Sequence, residues 1–113
     1  MINKLKTKSL NETLDYLLQD EKQKIIMLLS LLDDEKVAIG EKTFIVKKEE
    51  ILQVLKEIAR KEFLYQKDVL PKIYYFLVSK NILFLDPIKG LLKPQSRLTW
   101  RAINKALKEL NLT

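Results

Sequence analysis

The chain has 113 residues and a net charge of +6, with no cysteine and no histidine. That length fits one domain with a core large enough to stand without staples. The missing residues exclude disulfides, thiolate metal sites and the usual nucleophile–base pairs of enzymes. Two glycines, Gly40 and Gly90, are too few for a glycine-rich phosphate loop. No catalytic constellation is visible, so a non-enzyme that needs no cofactor and no metal is expected. The opening MINKLKTKSLNETL lacks the apolar centre of a signal peptide, and the near-apolar run from Ile25 to Leu32 is too short to span a bilayer. A soluble, cytoplasmic protein without a membrane partner is the expectation. Abundant Lys, Glu, Ile and Leu lean towards the composition of thermophilic sources.

In chain order, residues 1–8 carry Lys4, Lys6 and Lys8 and read as a flexible basic arm ahead of a single domain over 9–113. Ser9 to Glu12 fits a capping box, and Leu10, Leu14, Leu17 and Leu18 follow at helical spacing. Asp20 leaves open one bent helix or two. Ile25 to Leu32 is apolar on most sides and reads as a core helix. Asp33, Asp34 and Glu35 oppose the helix dipole and mark its end, as a solvated cluster without the spacing of a calcium loop. Residues 37–46 read either as a hairpin turning at 39–42 with Gly40 first, or as a loop with one short strand. From Lys47 to Arg60 the spacing is helical again, with Ile51, Leu52, Leu55, Ile58 and Ala59 on one side.

The next helix begins near Lys67 or Asp68, tolerates Pro71 in its first turn and ends at Asn81, a residue that accepts the left-handed conformation. Val69, Leu70, Ile73, Phe76 and Leu77 form its buried stripe. Phe76 belongs to the core, with Tyr74 at the margin and its hydroxyl in water. Residues 82–85 are a strand, 86–90 a turn and 91–93 a returning strand. Ser96 or Thr99 caps a last helix with Ile103, Ala106, Leu107 and Leu110 as its apolar stripe and Arg97, Arg101, Lys105 and Lys108 along another face. Helix, ribbon, helix gives the expected class: α+β, mostly helical, a winged helix-turn-helix with a short two-strand wing and a C-terminal helix.

Charge divides unevenly. Residues 1–62 hold 12 Lys/Arg and 12 Asp/Glu, whereas residues 63–113 hold 9 and 3. A basic second half points to a polyanionic partner, against the plainer reading of a solvated surface. The outer face of the 67–80 helix has few base-reading side chains, so contact with DNA is expected mainly through phosphates. Lys67, Lys72, Tyr75, Lys89, Lys93, Arg97 and Arg101 are the candidates, enough for ~4–6 phosphates. The second reading is a protein-interaction or accessory subunit that docks through Tyr74, Tyr75, Trp100 and the first helix. Apolar helices at both ends also leave room for a homodimer.

The stretch from Leu70 to Ile103, LPKIYYFLVSKNILFLDPIKGLLKPQSRLTWRAI, resembles the C-terminal winged-helix region of archaeal P-loop ATPases. Its carriers are Ile82, Leu83, Phe84, Asp86, Pro87, Gly90, Pro94, Gln95, Ser96, Arg97 and Leu98, and it covers about a third of the chain. The resemblance implies a freestanding regulatory or DNA-contacting module, like small archaeal winged-helix regulators and accessory subunits of replication machinery. It does not carry ATP hydrolysis over, because these residues include no ATPase domain.

Overall fold

Ser9 sits in extended backbone, and its hydroxyl oxygen accepts the Glu12 amide at 3.1 Å, one of the first-turn donors that no helical carbonyl can reach. The helix it opens, α1, runs unbroken over Leu10–Ser30, so the charged patch at Asp20 neither breaks nor restarts it. The computed structural model describes residues 9–60, 71–86 and 91–112. The expectations for the basic arm, for the helix start near Lys67 or Asp68, and for Val69 and Leu70 lie outside them.

After α1 the chain forms the hairpin rather than the loop. Strand β1 (Glu35–Ile39) pairs antiparallel with β2 (Lys42–Val46), and Ile39 opposite Lys42 leaves a two-residue turn. Gly40 takes φ +64° there, as the first position of a primed hairpin turn requires. The acidic cluster has a structural role that the sequence reading missed. Asp34 accepts the Lys48 amide at 3.0 Å, and Asp33 accepts the Asp34 amide at 2.8 Å. The Asp34 carboxylate thus satisfies the first amide of α2 (Lys48–Arg60) and places a negative charge at its positive end.

Helix α3 spans Pro71–Ser79 and stops in a Schellman motif. Asn81 adopts φ 59°, its amide donates to the Val78 carbonyl, and the Ile82 amide donates to Leu77, each at 3.0 Å. Strands β3 (Leu83–Asp86) and β4 (Leu91–Pro94) pair antiparallel as a second two-stranded sheet. Ser96, not Thr99, caps α4 (Arg97–Glu109), accepting the Thr99 amide at 3.1 Å. Asn111 (φ 56°) closes α4 with a second Schellman pair, Leu112 to Leu107 at 2.8 Å and Asn111 to Lys108 at 3.1 Å.

The architecture is α+β and mostly helical. One apolar core gathers Ile25 and Leu29 of α1, Ile51, Leu55 and Ile58 of α2, Ile73 and Leu77 of α3, and Ala102, Ile103, Ala106 and Leu107 of α4. Helix α4 lies at its centre, packed on both α1 and α2, while α3 rests on the first hairpin and on β3. Tyr74 departs from expectation. It is 4% exposed, and its hydroxyl has no hydrogen-bond partner among the described residues. Burial, with the nearby Glu57 carboxylate, holds the phenol well above its usual range. No helix among the described residues is long and apolar enough to cross a membrane.

Candidate nucleic-acid interface

The basic half of the chain acquires its geometry from the β3–β4 ribbon and α4. The ribbon register sets Phe84 opposite Lys93, and the Lys93 ammonium lies 5.8 Å from the Phe84 ring centroid, within reach of a cation–π contact. The Gln95 amide donates to the Ile82 carbonyl at 2.8 Å, which ties the end of the ribbon to the end of α3. Immediately beyond, the Ser96 cap starts α4, so Arg97 emerges in its first turn next to Lys93.

Around this junction Phe84, Lys93, Ser96, Arg97 and Trp100 border one shallow hollow. Arg97 and Arg101 border a second with Leu14, Asp15 and Leu18 of α1. Lys105 and Lys108 border a third, which shares Asp15 and Leu18 and adds Lys22 and Glu109. Arg97, Arg101, Lys105 and Lys108 are all exposed. Eleven residues separate the first from the last, about 16 Å at helical rise. Among the described residues that border these hollows the carboxylates are Asp15 and Glu109, and Glu109 is held by Lys22 at 2.9 Å. The strip is therefore cationic from the ribbon to the far end of α4, with an aromatic ring at its start. Among the described residues no group of three or more metal-ligating side chains comes together.

Residues 11–107 match the family described as the C-terminal domain of uncharacterized ATP-binding proteins like MJ1010. The chain belongs to that family. Among its MJ1010-like relatives in Methanocaldococcus jannaschii, the uncharacterized ATP-binding protein MJ1609 is 43% identical over 109 residues, 95% of this chain and 29% of that protein. The uncharacterized ATP-binding protein MJ0074 is 44% identical over 102 residues, 88% of this chain and 28% of that protein. The chain thus spans less than a third of the length of the curated relatives it matches. The crystal structure of the C-terminal domain of a possible ATP-binding protein from the same organism shares the fold, with a TM-score of 0.81 at 42% identity over 87% of this chain and 97% of that one. The likeness to the C-terminal region of archaeal ATPases holds to this extent: the relatives are archaeal, are named ATP-binding, and align through their C-terminal domain.

Within this MJ1010-like domain the sequence-predicted residues have different placements. Lys93, Arg97 and Arg101 come together on the strip, while Lys67 and Lys89 lie outside the described residues. Lys72 is half-buried, and its ammonium donates to the Ile45 carbonyl of β2 at 3.0 Å. Tyr75 is 55% exposed on the outer face of α3. Two of the three side chains expected to dock a partner are turned inward: Tyr74 is buried, and Trp100 is half-buried with its indole N–H donating to the Ile58 carbonyl at 3.0 Å. Trp100 is an anchor between α4 and α2. Phe84 was missed as a strip residue. Its signal is the ribbon register, which a strand read without its partner does not supply.

Proposed function

We propose that the chain is a non-catalytic, winged-helix nucleic-acid-binding module that grips DNA by its phosphates through the β3–β4 ribbon and α4, with low sequence specificity. The observation that carries this reading is the run of cations Lys93, Arg97, Arg101, Lys105 and Lys108 along the ribbon and one face of α4. Arginine and lysine on a straight helix match phosphates by charge and carry no base code of their own. Phe84 and Tyr75 offer ring faces, but α3 has few Arg, Lys, Asn or Gln side chains with which to read base edges. The relatives are named ATP-binding; these residues, with two glycines, cannot build a glycine-rich phosphate loop, so ATP is assigned no site here. In this reading the module is the cytoplasmic DNA-contacting end of its machinery, of the winged-helix type that its helix, ribbon and helix order suggests.

A second reading, a protein-interaction subunit, has its own observation. Phe44 and Ile45 of β2 and Tyr75 and Val78 of α3 expose apolar surface on neighbouring elements. The test is fluorescence anisotropy of labelled duplexes of unrelated sequence with the wild type, Arg97→Ala and Arg101→Ala. The phosphate reading expects each variant to weaken binding to all duplexes alike. Loss confined to one duplex would refute low specificity, and absence of any binding at low salt would favour the protein-interaction reading.

A further inference from the structure

Helix α1 is longer than the core it serves. Leu18, Lys22, Ile25, Leu29 and Leu32 point to the packed side: Ile25, Leu29 and Leu32 are buried, and Lys22 is paired with Glu109. Beside that side runs a second stripe, Leu10, Leu14, Leu17, Glu21, Lys24, Leu28 and Leu31, in alternating steps of four and three residues. Such steps keep to one seam of a helix. Its leucines are not covered at either end: Leu10 is 72% exposed and Leu31 is 75% exposed, with Met27 adjacent at 65%. Over the C-terminal half the seam borders a groove whose far wall is Lys80, Ile82, Gln95 and Ser96.

We propose that this seam pairs with the same seam of a second copy of the chain, antiparallel, about a two-fold axis passing between residues 22 and 23. Its charges decide both the occupant and the register. With that axis Leu14 meets Leu31, Leu17 meets Leu28 and Glu21 meets Lys24 of the other copy, and each pair occurs twice, as an isologous interface demands. The central Glu21–Lys24 pairs are complementary and flanked on both sides by leucines. A parallel pairing would set Glu21 against Glu21 and Lys24 against Lys24, which like-charge repulsion disfavours. Sliding the antiparallel register so that Leu10 meets Leu31 would press Leu17 onto Lys24 twice and leave that charge unmatched in an apolar seam. The exposed contact of Lys24 with Asp20 at 3.6 Å and the long one of Thr99 with Glu21 at 3.4 Å are weak enough to yield to the new pair.

Sedimentation equilibrium across micromolar concentrations tests this. The wild type should reach twice the 13.3 kDa chain mass, and Leu17→Glu should remain at the chain mass with an unchanged far-ultraviolet circular dichroism spectrum. Lys24→Glu and Glu21→Lys should each self-associate at least tenfold more weakly. An equimolar mixture of the two should restore the dimer, because each mutant then meets its complement. A wild type that stays at the chain mass would overturn the proposal, whether a protein partner or the chain's own first residues cover the seam. A dimer that survives Leu17→Glu, or charge variants that mixing does not rescue, would overturn it equally.

Discussion

Replacing Tyr74 by phenylalanine should stabilise the protein, although tyrosine fills the site. The ring is 4% exposed between α3 and the core, so its apolar area contributes in both versions. The hydroxyl differs: it is buried without a hydrogen-bond partner among the described residues. Leaving such a group unpaired costs about 1–3 kcal/mol of desolvation, and Tyr74→Phe should recover about 1 kcal/mol of it. For a domain of this size that is a rise in Tm of about 4 °C. Alkali adds a second signature. Burial and the Glu57 carboxylate raise the folded-state phenol above its ordinary value. A raised folded pKa contributes stability that is complete below the unfolded pKa, near 10 for tyrosine, and is lost as pH climbs from there towards the folded value. The stability gap between variant and wild type should therefore be constant from pH 6 to 9 and widen above pH 10, by up to about 1.4 kcal/mol per pH unit. Urea unfolding of both proteins at pH 7 and at steps between pH 9 and 11 measures it. A variant less stable by 1 kcal/mol at pH 7, or a gap indifferent to alkali, would refute the unpaired hydroxyl.

Other substitutions probe the frame that holds the strip. Leu107→Ala, at a fully buried position of α4, should cost about 3–4 kcal/mol in chemical denaturation through the cavity it leaves. Asp34→Ala removes the acceptor of the Lys48 amide and should cost about 1 kcal/mol, whereas Asp34→Asn should retain most of it. Gly40→Ala meets no atom within 4 Å but must hold φ +64°, so about 1 kcal/mol of backbone strain is expected without any packing defect. Thermal melts of the Asp34 and Gly40 variants check both.

Local signals made much of this fold legible. Ser9 and Ser96 announce helix starts because a hydroxyl in extended backbone can serve an amide three residues on, and Asn81 announces a stop because it tolerates positive φ. Gly40 between β-branched residues allowed the hairpin without deciding it; the decision came from packing Val37 and Val46 into the core. The bond from Lys48 to Asp34 was not legible, since it joins residues fourteen apart that meet only when the hairpin has formed. Tyr74 was misplaced because helical spacing ranks it beside the stripe, while the packing of α3 against its neighbours, which spacing does not show, leaves it 4% exposed. On the strip, the Arg97, Arg101, Lys105 and Lys108 face followed from periodicity alone, whereas the approach of Phe84 to Lys93 needed the strand register.

We propose above all that the strip along the ribbon and α4 holds phosphates. Titrating a labelled duplex with the protein at increasing salt, followed by anisotropy, tests it most directly. Five cations engaging ~4–5 phosphates predict a slope of log affinity against log salt of about −4, falling by about one unit for Arg101→Ala. Binding independent of salt, or a slope that Arg101→Ala leaves untouched, would contradict the account.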